Sequence, residues 1–567
     1  MRRRTFLGGA AATAAVAAVA GCRAGSSHTA GQAHDPGADL TVSAGETRRI
    51  SGQVTALGAQ VAAGGTLELD PHASTTLVVS SNVVVEGVLR MRPASADVVH
   101  TLRFVDVDES RFVGGVMVPI ASDVGLWVTG AGRLDLRGTP RAGWNRTGQD
   151  STWRRGDEVL RAPNEAGDYS TYRAHRPGDG VPSVVGPNAV RYATEVFNLT
   201  RNVVVEGTPG HRAHVFVHST SPQRLQHVRF RWLGPRRPVE QTQRFHHRSL
   251  SQGSLVEGAQ AEYPPDYFSF TGTAYSEPVL GRYPVHFHHC ADGSRGSLVE
   301  GCVVTDSSRA FVPHASNGIT FRDCVAHRIV NDAYWWDERH PTEDLLWEHC
   351  AAFDVRFDPE TNGTTAAFML GVGHRMVVRD CVAVGVHGSE HASGFQWPSF
   401  ANERPDNVWT SQDLVAHNCS GDGVYVWQDD DNHHVVDGVV GYHNAYAGLL
   451  HGARRNAFEY RDVVLFGNGT ADLQHQALDR DQDGVRPQVW RGLWVEHLVL
   501  HEHLQPSGSA VRFLDAHVGR VTVEENARHG GVYEIHADLG PADFTVRNLK
   551  SRIRVVRPGG DSFLLRG

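Results

Sequence analysis

After about residue 40, apolar and polar side chains alternate with a period of two along most of the chain. Thr66-Leu67-Glu68-Leu69-Asp70, the run from Asn82 to Met91, and Leu126-Trp127-Val128-Thr129-Gly130 carry the pattern first. On an extended backbone, residues i and i+2 face the same side, so each run predicts a short strand with one buried face. No stretch shows the 3.6-residue period of a helical face. From Thr194 to about Val555 the alternation settles into a repeat. Asn202-Val203-Val204-Val205-Glu206-Gly207, Val377-Val378-Arg379-Asp380-Cys381-Val382-Ala383 and Tyr460-Arg461-Asp462-Val463-Val464-Leu465 fit one template. Coils of roughly 20 to 30 residues built from short strands cannot bury an inner face alone and must stack. The pattern predicts an all-β chain folded as a right-handed parallel β-helix, a solenoid of the pectate-lyase type.

The same pass divides the chain. Residues 1–22 read as a targeting segment: Arg2-Arg3-Arg4-Thr5-Phe6-Leu7 carries a twin-arginine pattern, and an Ala/Val-rich run follows. That run ends Val19-Ala20-Gly21-Cys22, a lipobox whose cysteine becomes the lipidated first residue of the mature protein. Residues 23–39 are rich in Gly, Ser, Ala and His and read as a flexible tether. Residues 40–195 form a β module, with a loop-rich, Trp/Arg/Pro-containing insertion from about 140. Residues 196–567 carry the β-helix. The expectation is a protein exported by the twin-arginine route and held at the cell surface, or outside the cell, with the lipid on Cys22 as its sole membrane contact.

Composition narrows this picture. Sixty Gly residues suit a chain of many turns. A net charge of −9 argues against a general nucleic-acid surface. The basic stretch Arg224 to Arg248 reads as a solvated rim. Beyond Cys22, the cysteines are Cys290, Cys302, Cys324, Cys350, Cys381 and Cys419. The gaps of 22, 26, 31 and 38 residues from Cys302 onward place them at one point of successive coils. Inward thiols packed as small apolar groups account for that spacing better than disulfides do.

Candidate chemistry gathers between Gly281 and Cys350. His286 and His288 share one face of a strand, and so do His214 and His218. His314 follows His288 by 26 residues, about one coil, and Asp337 follows His314 by 23. Stacked, these residues form a His-and-carboxylate set suited to Zn, Mn or Fe, or to general acid–base work without metal. His387-Gly388-Ser389-Glu390-His391 offers further ligands. Asp479, Asp481 and Asp483 keep the oxygen spacing of a calcium loop, with Gly484 at its bend and Trp490 where the closing Glu would stand. Trp335, Trp336, Trp397, Trp409, Tyr425 and Trp427 are candidate sugar-stacking surfaces.

Arg282-Tyr283-Pro284-Val285-His286-Phe287-His288, Arg309 to His314, Asp332 to Glu338 and the Gly-punctuated strands of 40–137 resemble the G8-domain proteins. That group includes hyaluronidases of the cell-migration-inducing hyaluronan-binding and transmembrane-protein-2 type. The resemblance implies a G8-like module ahead of the β-helix and a hyaluronan-like polysaccharide as substrate. It also implies a working site at His286, His288, His314, Asp337 and Glu338. Asp332 stands where that pattern leads one to expect a His.

The resulting expectation is a carbohydrate-active enzyme that cleaves a long, acidic polysaccharide, by hydrolysis in preference to elimination. His286, His288 and His314 hold a metal or orient the sugar. Asp337, Glu338, Asp332 and His314 supply acid and base. Arg282, Tyr283, Trp335 and Trp336 bind substrate. A non-catalytic glycan-binding surface protein and a metal-dependent enzyme acting on a small molecule are the alternatives.

Overall fold

The computed structural model describes residues 39–238, 276–335, 342–356, 365–371, 373–388, 392–397, 408–427, 432–453, 457–477, 488–503, 510–524, 532–549 and 551–566. Residues 1–38, which include Cys22 and nearly all of the expected signal segment and tether, and Asp479, Asp481 and Asp483 lie outside these residues. Among the described residues, no helix is long and apolar enough to cross a membrane.

The chain winds into a right-handed parallel β-helix with three faces, as the coil-length repeat predicts. One face stacks Leu40–Val42, Ala59–Val61, Val83–Val85, Leu126–Gly130, Val215–Ser219, Val285–Ala291 and Phe311–Ser316, all parallel. A bridge at Tyr334 carries this face on to Ala366–Met369, Ser393–Trp397, Asp422–Val426 and Ala447–Ala453. The pairing runs unbroken from residue 40 past residue 195, because Leu126–Gly130 bonds directly to Val215–Ser219. A second face runs through Val88–Met91, Arg133–Arg137, Arg224–Gln226, Leu298–Glu300 and Thr320–Arg322. The third runs through His100–Phe104, Val203–Glu206, Val228–Arg231, Val303–Ser308 and Val325–Val330.

A single conformational demand sets the corner between the second and third faces. Gly301, Asp323, His349, Asp380, Asp413, Gly438, Asp462, Gly492 and Asp515 all sit at positive φ, between 50° and 75°. The residues just before them, Glu300, Arg322, Glu348, Arg379, Gln412, Asp437, Arg461, Arg491 and Leu514, are mutual register partners. Only Gly, and to a lesser degree Asp, Asn and His, enter this left-handed region cheaply. Hence a charged residue, then Asp, Gly or His, then Cys or an aliphatic recurs in the sequence. The charged partners alternate in sign along part of the ladder. Arg322 and Arg379 both donate to Glu348, at 2.6 and 2.8 Å.

Just inside this corner, Cys302, Cys324, Cys350 and Cys381 are reduced and buried. Each thiol lies near a carbonyl of the preceding coil, at Leu225, Val299, Phe321 and Trp347 respectively. Burial pushes the Cys324 and Cys381 thiols well above their ordinary range. Cys419 departs from the expected column. Leu414 occupies that place opposite Cys381, and Cys419 follows Asn418, a second left-handed corner. Aromatic rings stack in a parallel column, Phe311 on Tyr334 at 4.9 Å, Tyr334 on Phe368 at 4.4 Å and Phe368 on Phe395 at 4.9 Å.

The 140–195 insertion interrupts one coil and folds as small antiparallel sheets, Trp144–Asn145 with Val196–Asn198 and Val159–Arg161 with Arg173–Ala174. It lies on the outer surface of the third face. Phe197 stacks on Phe353 at 4.0 Å, and the Trp144 indole N–H donates to the His349 carbonyl. Tyr172 donates its hydroxyl proton to the Val384 carbonyl and accepts from the Asp354 N–H. Glu195, fully buried, meets Arg146 and His417, each at 2.8 Å. Although burial pushes its carboxyl up, those two partners hold Glu195 at about 2. Asn418 donates to the carbonyls of Glu165 and Asp168, and His443 donates to Asn164.

The left-handed corner gives a direct test. Asp413 has φ 53°, so Asp413→Gly leaves stability nearly unchanged, whereas the β-branched Asp413→Val lowers it by about 1–2 kcal/mol. Equilibrium unfolding of the two variants in denaturant checks the contrast; equal loss in both would refute the conformational account.

Candidate functional site

The Val285–Ala291 strand turns Val285 and Phe287 into the core and His286 and His288 outward. On the next coil, His314 lies in register opposite His288, as the 26-residue spacing predicts. Although they point away from the solenoid interior, all three imidazoles are buried. Phe216 packs on His286 and His288, Tyr283 packs on His286, and His289 lies 4.6 Å from both His288 and His314, ring to ring.

The three rings converge through specific nitrogens. Gly281, at φ 76°, offers its carbonyl to His286 Nδ1 at 2.9 Å. A carbonyl only accepts, so Nδ1 carries the proton and Nε2 presents a lone pair. His286 Nε2 lies 3.2 Å from His288 Nδ1, which lies 3.1 Å from His314 Nδ1. All three ligand nitrogens fall within 4.8 Å of one another. Tetrahedral zinc with Zn–N bonds of about 2.0–2.1 Å spaces its ligand nitrogens by about 3.3 Å, which the His286–His288 and His288–His314 separations match. Burial, then the neighbouring His286, His314, His289 and His218, push His288 far below the ordinary histidine range. His288 therefore stays neutral, the form of imidazole that ligates metal. Among the described residues, it is the one group of three or more His, Cys, Asp or Glu side chains so arranged.

Other expected residues fall differently. Arg282, expected to bind substrate, lies in the interior. It is fully buried against Asp123, with Nε 2.8 Å from Oδ2, donates to the Val116 carbonyl, and lies over the Trp127 ring at 4.6 Å. The pair clamps the loop before Leu126 onto the sheet, because a buried guanidinium requires a carboxylate partner. Tyr283 is also buried, and its hydroxyl oxygen accepts from Arg309. The Arg309 guanidinium covers Trp335 at 3.5 Å, so Tyr283 and Trp335 form a wall beside the triad and not an open platform. The Asp332 carboxylate accepts from the Ala366 N–H at 2.9 Å, latching the next coil. Trp336, Asp337 and Glu338 lie outside the described residues.

His214 stands apart from His218. It is buried edge-on to Trp127 and bonds to the Asp123 carbonyl. His218 donates to the His288 carbonyl at 2.9 Å and so braces the triad strand. His387 lies on the third face, 3.4 Å from Asp354, away from the triad, and Ser389 to His391 lie outside the described residues. Trp397 and Trp409 are core residues, and Trp409 donates to the Gly371 carbonyl. Tyr425 is nearly buried, with the ring of Trp427 parallel to it at 5.9 Å. Sequence reasoning gave no role to Arg309, His289 or the Glu195–His417 pair. The left-handed positions at His289 and Arg309 mark unusual local geometry, but no sequence spacing announces it.

Comparison with known proteins places a match on this segment. The family model described as the CEMIP beta-helix matches residues 273–366, which include the whole triad. That stretch is thus similar to the CEMIP β-helix. No curated protein sequence matches the chain. Among solved structures, an exopolygalacturonase from Thermotoga maritima aligns with 11% identity and a TM-score of 0.28, over 90% of this chain and 87% of its own. A periplasmic alginate epimerase, AlgG, aligns with 9% identity and a TM-score of 0.26, over 89% of this chain and 77% of its own.

Two measurements follow. Asp123→Ala strands the buried Arg282 charge and lowers stability by about 3–5 kcal/mol, read by denaturant unfolding. Burial lowers His327 and His387 to about 4, whereas unfolded histidine titrates near 6.5. Above about pH 6.5 neither group contributes to pH dependence. As pH falls from about 6.5 towards 4, the unfolded chain takes up protons that the folded one refuses, and stability declines with a slope of about one proton per histidine. Unfolding midpoints at pH 7.5, 5.5 and 4.5 check this; a flat profile below pH 6.5 contradicts it.

Proposed function

We propose that this protein is a metal-dependent enzyme that cleaves a long, acidic polysaccharide, with His286, His288 and His314 as the metal ligands. The convergence of three imidazoles carries the reading, with His288 Nδ1 3.2 Å from His286 Nε2 and 3.1 Å from His314 Nδ1. The CEMIP-like match over residues 273–366 and the Arg-Tyr-Pro-Val-His-Phe-His motif support the substrate class. A divalent ion held by these three imidazoles would supply Lewis acidity there.

The chain's own residues do the rest. The Gly281 carbonyl fixes the His286 tautomer, and the His218 bond to the His288 carbonyl holds the strand that carries two of the three ligands. Phe216, Tyr283 and Trp335 exclude water from one side of the cluster. Arg309, bonded to Tyr283 and lying over Trp335, holds that wall in place. Asp337 and Glu338, with Asp332, are the candidate acid and base, and hydrolysis is the favoured outcome. We place the enzyme outside the cytoplasm, exported through its twin-arginine segment and anchored by a lipid on Cys22.

The test uses protein lacking the signal segment, incubated with acidic and neutral polysaccharides with and without chelator, following chain length and metal content. The expected result is shortening of an acidic polysaccharide that chelator stops and a divalent ion restores. His288→Ala should lose the bound metal and at least about a hundredfold in rate, since even the outer partners of metal ligands are worth 10–100-fold. Binding of glycan without shortening would convert the reading to a glycan-binding surface protein. Shortening indifferent to both chelator and His288→Ala would refute the metal site.

A further inference from the structure

The outer surface of the second face carries a concentration of arginines that the triad does not use. Arg90, Arg133, Arg137 and Arg224, on three successive strands of that face, and Arg92, just past the end of the first, surround Asp135 and line a cavity of about 200 Å³. Arg90 and Arg137 meet Asp135 at 3.3 and 2.9 Å, and Arg92 also pairs with it. Glu68, 3.7 Å from Arg90, is shared with Arg49 at 2.9 Å. Among the described residues, Arg133 and Arg224 meet no carboxylate. Arg224 donates instead to the Gly296 carbonyl at 2.9 Å. The Arg92 Nε is screened from solvent and has no acceptor. One carboxylate and half of another thus stand against five guanidinium groups, in a protein whose net charge is −9.

We infer that this arginine cavity is a second, non-catalytic subsite that anchors the carboxylate or sulfate groups of the acidic polysaccharide cut at the triad. The inference rests on the substrate class proposed above. Guanidinium groups present planar pairs of donors that match carboxylate and sulfate oxygens, and unneutralised ones concentrate such anions against the general repulsion of an acidic protein. The position suits a polymer. Arg224 follows His218, which bonds to the triad strand, by six residues, a path of at most about 20 Å. The Gly296 carbonyl that Arg224 holds belongs to the corner the chain turns after leaving His288. A polysaccharide cut at the triad can therefore pass around that corner and reach the arginines with its next few sugars.

The test measures equilibrium binding to polygalacturonate, chondroitin sulfate, neutral dextran and duplex DNA, using His288→Ala protein so that no cleavage intervenes. The double variant Arg133→Gln/Arg224→Gln should bind the two acidic polysaccharides roughly tenfold or more weakly. The slope of log affinity against log salt should fall by between about 1 and 2. Arg224→Lys should retain most of the affinity, and unfolding midpoints should stay unchanged in all three proteins. Unaltered affinity or salt slope in the double variant overturns the anchor, as does absence of any polysaccharide binding in the parent. Dextran bound as tightly as the acidic chains, or duplex DNA bound more tightly, overturns the assigned ligand. Arginine-dependent binding by a protein whose wild type shortens no glycan sustains the anchor and removes the proposed enzymatic activity.

Discussion

From His227 onward, each coil turns its corner through a residue at positive φ. The Gly301, Asp323, His349, Asp380, Asp413 ladder fixes where these coils bend, and hence which residue lies above which. Because parallel strands place equivalent residues one strand spacing apart, about 4.8 Å, a fixed corner makes the columns above it continuous. The cysteine column, the charge ladder through Glu348 and the aromatic column through Tyr334 all follow from that register. The triad depends on register as well. His288 and His314 meet because their strands pair residue for residue up to that point, after which a bulge carries the chain to Ala291.

This dependence explains what could be read from the chain and what could not. Period-two alternation and the charged–Asp–Cys repeat are local imprints of strand and corner, so the solenoid was legible, as was the vertical pairing of His288 with His314. The cysteine spacing misled at Cys419 because two different corners place an apolar residue after a left-handed one, and spacing alone cannot tell them apart. Arg282 looked like a substrate residue because its neighbours are site residues. Its partner, Asp123, lies 159 residues away, and no local signal marks the clamp. Trp397 and Trp409 failed as platforms for the related reason that alternation does not say which face of a strand looks inward.

The site combines two opposite solutions to burying polar groups. Arg282 and Asp123 remain charged in the interior because each neutralises the other across 2.8 Å. His288 beside them takes the other course and stays neutral, with nitrogens of His286 and His314 at 3.2 and 3.1 Å from it. A proton shared between two such nitrogens satisfies only part of the set, whereas a cation at the centre satisfies all of it. The buried ion pair keeps the floor rigid, so the donor nitrogens need little rearrangement to accept one.

The insertion has a consequence for how the molecule holds together. Its anchors reach from an early coil to Asp354, Val384, His417, Asn418 and His443, across sequence separations of 182 to 279 residues. A plain solenoid is a row of neighbours, each coil bonded to the next, that can peel from either end. Here one limb of the chain is laid along the row like a splint and fastened at several coils. Peeling past any of them must also detach the splint, so these coils come apart together. The same bracing delays assembly, since the insertion reaches its final seat only after chain synthesised far later has been wound beneath it.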